Sequence, residues 1–276
     1  MSRKKYGLTE YRIQKFLREG RGLGSGAFYK PWTTVSDLSS KGRSHRVYWW
    51  KTGRVHHLLS DIEFLVFLHL IWEVWDEVVE VEDIREQYPL RREETIRIAK
   101  ELGVKHPTDP HFQTVWVVTT DFLVTMSTPQ GVDFAAFAAK PDESLENISV
   151  QSKLEIERRY WEERHIRWYE VVESQVKTPI GRNLWWIFDG SDNPFQIEDL
   201  HRTVFSLLAI QRCAHPYIPI RDVCKFIDDQ LSCPRGSSLG FLRQLLARKW
   251  IRVDLNAAYI QDLPMSAFNF TEGAKI

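Results

Sequence analysis

Cysteine is scarce in this chain. Cys213, Cys224 and Cys233 are its only three, widely spaced and without a C-x-x-C pair. Such spacing excludes a disulfide framework and a zinc-ribbon signature, and it suits a reducing cytoplasm. Long apolar runs are missing as well. The most apolar window, Ile62 to Trp72, is too short to span a bilayer and carries Glu63. The opening MSRKKYGLTEYRIQKFLREG is charged and has no apolar segment of the kind a secretory signal needs. Repeats and low-complexity tracts are absent, which argues against a solenoid. Net charge is absent too, because Lys+Arg and Asp+Glu both number 37, so the overall balance names no partner.

One local absence says more. Between Asp37 and Asp61 the sequence contains no acid, while Lys41, Arg43, Arg46, Lys51 and Arg54 alternate with His45, His56, His57, Tyr48, Trp49 and Trp50. Cations for phosphates, interleaved with planar rings, compose a nucleic-acid surface. The same stretch also suits a basic hairpin that covers the core with its tryptophans buried. The two readings are compatible.

What is present is a globular composition, 43% hydrophobic and 27% charged over 276 residues, enough for one large domain or two ordinary ones. Thr9 to Glu19 has loosely helical apolar spacing. Gly20 to His57 reads as irregular. Ser60, with Glu63 three residues on, opens the helix SDIEFLVFLHLIW. Glu73 to Glu86 alternates acids with Val74, Val79, Val81 and Ile84, as an outer strand does. ETIRIAKELG is a helix closed by Gly103, and Val115 to Met126 is a strand or strand pair. DFAAFAAKP is six apolar residues stopped by Lys140 and Pro141, a strand buried on both sides. Ser144 to Arg164 is a long charged helix, and IRWYEVV a further strand. A mixed sheet flanked by helices follows from that order. From about Ser174 the pattern changes to successive helices (PIGRNLWWIFDG, IEDLHRTVFSLLAIQRC, IRDVCKFIDDQLS, SSLGFLRQLLARKW) and a short strand pair in IRVDLNAAYIQDL. Three helices and a small hairpin make the winged-helix order, which serves DNA binding or protein docking. The expected domains are therefore residues 1–174 and 175–276.

Three elements carry chemistry. A helix places Glu63 among apolar neighbours, a strand carries Asp121, and a neighbouring strand ends at Lys140. Antiparallel strands can set an acid beside a lysine. Two carboxylates with room for a carbonyl and waters suit Mg²⁺, and an adjacent lysine can orient a water and offset charge developing on phosphate. Each residue also has an ordinary explanation. Ser60 and Glu63 form a capping box, Asp121 after Thr119 and Thr120 can cap a turn, and lysine often ends a strand at water.

The stretches GRSHRVYWWKTGRVHHLLSDIEF, DIREQYPL, GVKHP, TTDFLV, AAKP and LEIERRYW occur in an order that resembles the TnsA family, the endonuclease subunits of heteromeric transposases in cut-and-paste bacterial transposons. The likeness spans most of residues 10 to 174 and is weaker beyond. It implies a type II restriction-endonuclease fold followed by a winged-helix-like domain. The family's catalytic acid falls on Glu63, its metal-binding aspartate on Asp121 and its lysine on Lys140. A further acid falls on Glu157, in the second shell or at a second metal. It also implies Mg²⁺, with Mn²⁺ able to replace it, cleavage at the 5′ ends of transposon DNA, and two partners, the TnsB transposase and the AAA+ ATPase TnsC. One departure stands out. Restriction-type sites usually carry an acid or amide two residues before the lysine, and here stands Ala138, so the carbonyl of Ala138 or Ala139, or water, must fill that position. Ala138 keeps open a second expectation, a catalytically degenerate DNA-binding assembly factor of the same complex. A stand-alone repair or restriction nuclease is a third.

Overall fold

The computed structural model describes residues 9–37, 43–73, 80–189 and 198–271, in two units, Met1–Val176 and Lys177–Ile276. The first unit begins with α1 (Glu10–Arg18), where the Thr9 hydroxyl accepts the Arg12 N–H and Ile13 and Phe16 are buried. The basic segment is less irregular than its sequence suggests. It forms an antiparallel hairpin of β1 (His45–Trp49) and β2 (Arg54–Leu58), closed at Gly53 in the left-handed region. Its first tryptophan, Trp49, is buried against Phe67, whereas Trp50 is exposed.

Ser60 caps α2 (Asp61–Trp72), whose residues from Ile62 to Ile71 are all buried. A helix with no polar face has to be enclosed, and this one packs against the central sheet. The sheet is built from β3 (Val81–Pro89), β4 (Thr119–Thr128), β5 (Gly131–Lys140) and β6 (Arg167–Val172), in that spatial order. The first three strands are antiparallel and β6 joins β5 in parallel, so the sheet is mixed, as expected. The edge position of β3 also agrees with the sequence. Val74 and Val79, the first part of the expected outer strand, lie outside the described residues. Strand β4 begins at Thr119, four residues later than the apolar pattern starts, because Val118 is used outside the ladder, its carbonyl accepting the Leu90 N–H.

Helix α3 (Arg92–Glu101) lies between β3 and β4, and α4 (Ile148–Glu162) crosses from β5 to its parallel neighbour. Leu90, Ile98 and Ala99, with Ile156, Tyr160 and Trp161 of α4, close over Leu123 and Ala136 of the sheet. Helix α4 starts later than Ser144, since Asp142–Glu146 forms a 3-10 turn and Asn147 is the cap that accepts the Ser149 and Val150 N–H groups. The short α5 (Glu173–Val176) ends the unit.

The second unit holds α6 (Pro179–Phe188), α7 (Asp199–Ala214), α8 (Ile220–Gln230) and α9 (Ser237–Ala247). Helix α9 packs against the other three, and the buried Asp228 accepts the Gly236 and Ser238 N–H groups at its start. The expected hairpin within IRVDLNAAYIQDL does not form. Strand β7 (Ile251–Arg252) pairs instead with β8 (Asn269–Phe270), and Ile260–Asp262 is a 3-10 turn. Residues 255–258 turn instead of extending, and the Ile260–Asp262 turn that follows packs against α8 with Ile260 buried.

What fastens the hairpin to the sheet is the fully buried Glu86 of β3. Both Arg54 terminal nitrogens donate to it, at 2.7 and 2.6 Å, along with His56 Nδ1 at 2.9 Å and the His57 N–H at 3.0 Å. Burial alone would keep this carboxyl neutral, but the neighbouring His56 and Arg54 hold it far below the usual glutamate range. Removing one partner of such a pair strands a charge in the interior. Arg54→Ala is expected to cost about 3–5 kcal/mol, whereas exposed Arg46→Ala should stay within about 0.5 kcal/mol. Denaturant melts of the two variants check this.

Candidate active site

Glu63 sits in the first turn of α2, and its capping explanation is real. Its N–H donates to Ser60 Oγ at 3.1 Å, while its carboxylate accepts from the Leu59 N–H at 3.0 Å and the Ser60 hydroxyl at 3.2 Å. Those bonds leave the carboxylate facing the sheet, where it is buried beside Asp121 of β4. One side chain reaches both acids. The Gln87 amide nitrogen lies 3.3 Å from Glu63 Oε2 and 3.5 Å from Asp121 Oδ1.

Lys140 closes the other side. Its Nζ is 2.7 Å from Asp121 Oδ2 and 2.8 Å from the Ala139 carbonyl, and the Ala139 N–H donates to the same Oδ2 at 2.8 Å. The buried strand therefore ends on its lysine over an aspartate and not over water. Ala138 is fully buried and presents only a methyl.

Electrostatics separate the two acids. Burial first, and the Asp121 charge second, push the Glu63 carboxyl up to about 7. Burial acts the same way on Asp121, but the charges of Lys140 and then Lys153 outweigh it and hold that carboxyl below the ordinary aspartate range. Burial also opposes the Lys140 ammonium, yet Asp121, and after it Glu157, keep it protonated above the usual lysine range. The site thus holds one carboxylate firmly ionised and one able to exchange a proton near neutrality.

Glu157 takes a separate place. Its Oε1 accepts from the Thr120 hydroxyl at 2.6 Å and from the Trp168 indole at 3.3 Å, and burial raises its carboxyl. It acts on Lys140 and Asp121 through its field. Among the described residues no three His, Cys, Asp or Glu side chains gather as a metal cluster. The donors that do converge are two carboxylates, an amide and a main-chain carbonyl. Each has an oxygen to offer a cation, while the groups that now face the carboxylates are the neutral Gln87 NH₂ and the positive Lys140 ammonium. That donor set fits a hard divalent cation.

The expected DNA-contacting cations fall in different places. Lys41 lies outside the described residues. Arg43 and Arg46 are exposed, the second on β1. The Lys51 ammonium donates to the Val81 carbonyl at 2.9 Å and is 3.5 Å from Glu80. Arg54 is withdrawn from such a role. Its guanidinium is spent on Glu86 and on the carbonyls of Gly26 and Ile84.

Two residues at the site were not found from sequence. Gln87 sits inside the strand stretch DIREQYPL, where nothing in its spacing distinguishes it. Lys153 is one charge among many on α4, one turn before Glu157, and only its field on Asp121 and Glu157 marks it.

Comparison with known proteins finds two family regions and a relative. The family described as TnsA-like endonuclease N terminal matches residues 79–173, which include Gln87, Asp121, Lys140 and Glu157. The TnsA endonuclease C terminal family matches residues 175–255. The transposon Tn7 transposition protein TnsA of Escherichia coli is 35% identical over 259 residues, 94% of this chain and 91% of that protein. With both TnsA regions matched in order and a relative alike over nearly its whole length, the chain belongs to the TnsA endonuclease family.

Proposed function

We propose that the chain is a Mg²⁺-dependent DNA endonuclease that nicks the 5′ ends of a transposon during cut-and-paste transposition. Its first unit would carry a restriction-endonuclease-like site, and its second a winged-helix-like module. The observation that carries the reading is the meeting of Glu63, Asp121 and Lys140 from a helix and two strands. Partners are proposed from the family, namely transposon-end DNA, a TnsB transposase to process the 3′ ends, and a TnsC-type AAA+ ATPase. Mn²⁺ is expected to replace Mg²⁺.

Glu63, Asp121 and the carbonyl of Ala138 or Ala139 would hold the cation. When bound, the metal would polarise the scissile phosphate and lower the pKa of a water. The chain's own part is electrostatic. Lys140 stays protonated, so it serves as a donor to charge developing on phosphate and not as a base. Asp121 stays ionised beside it. Glu157 is proposed to assist from behind, holding Thr120 and strengthening the charge on Lys140.

The buried methyl of Ala138 favours one competing reading, an assembly factor that binds DNA but does not cut. Metal-dependent nicking by the reconstituted transposase separates the two, and cleavage by the purified chain alone would favour a stand-alone nuclease instead. In the assembled complex, Asp121→Ala is expected to abolish 5′-end nicking without loss of assembly. Lys140→Ala should slow nicking roughly 10²–10³-fold while retaining metal binding, and Lys140→Arg should not restore it, because a planar guanidinium does not fit between Asp121 and the Ala139 carbonyl. Near-normal nicking by Lys140→Ala defeats the catalytic reading.

Proton and metal compete for Glu63. Its raised pKa means the folded chain binds a proton that the unfolded chain has released. Glu63 therefore stabilises the metal-free protein fully at pH below the unfolded value near 4.5, and that contribution is lost as pH rises through about 7. Metal affinity should run the other way and strengthen through about pH 7. Because buried His56 and half-buried His57 titrate with the opposite sign, the measurement is the difference between the chain and Glu63→Gln, in thermal melts and in Mg²⁺ titrations from pH 5 to 8.

DNA binding should use Arg43 and Arg46 and not Arg54. Replacing the first two together should flatten the salt dependence of affinity by up to about two phosphate contacts' worth on any sequence. Fluorescence anisotropy across a salt series reads the slope, and an unchanged slope assigns the hairpin to packing or a protein partner.

A further inference from the structure

Gln87 is the one site residue whose backbone is held against its preference. It adopts φ +49, in the left-handed region that glutamine rarely enters, while buried in the middle of β3. The pairing of β3 with β4 steps from Glu86↔Phe122 to Tyr88↔Thr120, leaving Gln87 and Asp121 outside the ladder and opposite one another. The surroundings enforce this turn. The Trp32 N–H donates to the Gln87 carbonyl, the Tyr29 hydroxyl donates to the Glu86 carbonyl, and the Glu86 side chain is clamped by the hairpin. Strain of this kind persists where structure over-determines it, commonly at functional sites.

The side chain, by contrast, is loosely held. Its three contacts, to Glu63, Asp121 and the Thr119 hydroxyl, are 3.3, 3.5 and 3.4 Å, all long for hydrogen bonds and longer than charge-assisted ones usually are. The backbone is fixed and the amide is not. An amide carries donors on one edge and an acceptor on the other, and a half-turn exchanges them. Here the donor edge faces two carboxylates. At Ala138 no side-chain donor exists, and no third acid joins the pair among the described residues.

We infer that Gln87 supplies the side-chain oxygen that Ala138 lacks. With the site free of metal its NH₂ edge faces Glu63 and Asp121, and with a divalent cation between them its Oε1 becomes a ligand. This inference rests on Glu63 and Asp121 forming a cation site. A neutral amide suits the position, because a third buried carboxylate would raise the proton affinity of Glu63 further and oppose metal uptake.

The test is Mn²⁺ binding to the full chain, followed by electron paramagnetic resonance and by titration calorimetry, with no DNA and no readout of cleavage. Gln87→Met keeps the length without the oxygen and should weaken Mn²⁺ affinity about 10–100-fold. Gln87→Glu restores an oxygen at that position and should bind Mn²⁺ more tightly than Gln87→Met. Gln87→Gly removes the ligand while relieving the backbone, so it should lose affinity like Gln87→Met yet melt no lower than the unaltered chain. Asp121→Asn serves as the control. If Asp121→Asn abolishes binding while Gln87→Met and Gln87→Gly leave it unchanged, Gln87 is no ligand and the cation site stands. If Asp121→Asn leaves binding unchanged, the cation site itself is misplaced and this inference falls with it.

Discussion

The first unit depends on a buried carboxylate. Glu86 has no solvent to keep it charged, and the hairpin provides the substitute in the form of Arg54, His56 and the His57 amide. A fully buried ion pair adds little net stability over an apolar pair of the same shape, but it is strongly specific. Only one register of the hairpin brings four donors to a single carboxylate. That register sets β2 against β3, and α2 leaves β2 after the two residues Leu59 and Ser60. The first turn of α2 therefore starts from a fixed point, and Glu63 with it. On the other side the residue after Glu86 is Gln87, turned into the site by its left-handed backbone. One carboxylate thus organises the positions of Glu63 and Gln87 without itself joining them.

The site shows how one environment can drive two acids apart. Glu63 and Asp121 are both buried, and desolvation raises both. Only Asp121 has an ammonium in contact, at 2.7 Å, together with a backbone N–H. Lys140 is in turn held charged by the same contact, so the pair is mutually reinforcing. Glu63 receives hydrogen bonds from its own helix start, which are weaker compensation than a charge. The result is an asymmetric pair whose combined charge changes near neutral pH.

The basic segment illustrates a limit of composition. Five cations and three histidines between two aspartates look like one surface, and the hairpin divides them. Residues pointing one way along β2 are consumed by Glu86, while Arg46 on β1 points to solvent. Period-two alternation makes that split unavoidable once a hairpin has formed, since neighbouring side chains cannot share a face. Trp49 ends β1 facing inward, whereas Trp50 lies in the turn that follows and is exposed.

From sequence alone the chain had already determined its mixed sheet with helices, its start of α2 at Ser60, the buried strand ending on Lys140, and the three residues Glu63, Asp121 and Lys140. Each of these is a local signal: a cap, an apolar run, a break at proline, or a long motif shared with a family. The structure alone decided what depended on partners far along the chain. Gln87 became a site residue because β3 is turned opposite Asp121. Arg54 became a core residue because Glu86 is 32 positions away but adjacent in space. The closing strand pair joined Ile251–Arg252 to Asn269–Phe270, because the chain between them is held by the helices it covers. Local patterns encode which way a segment faces, whereas a side chain's charge is spent on whatever tertiary packing brings to it.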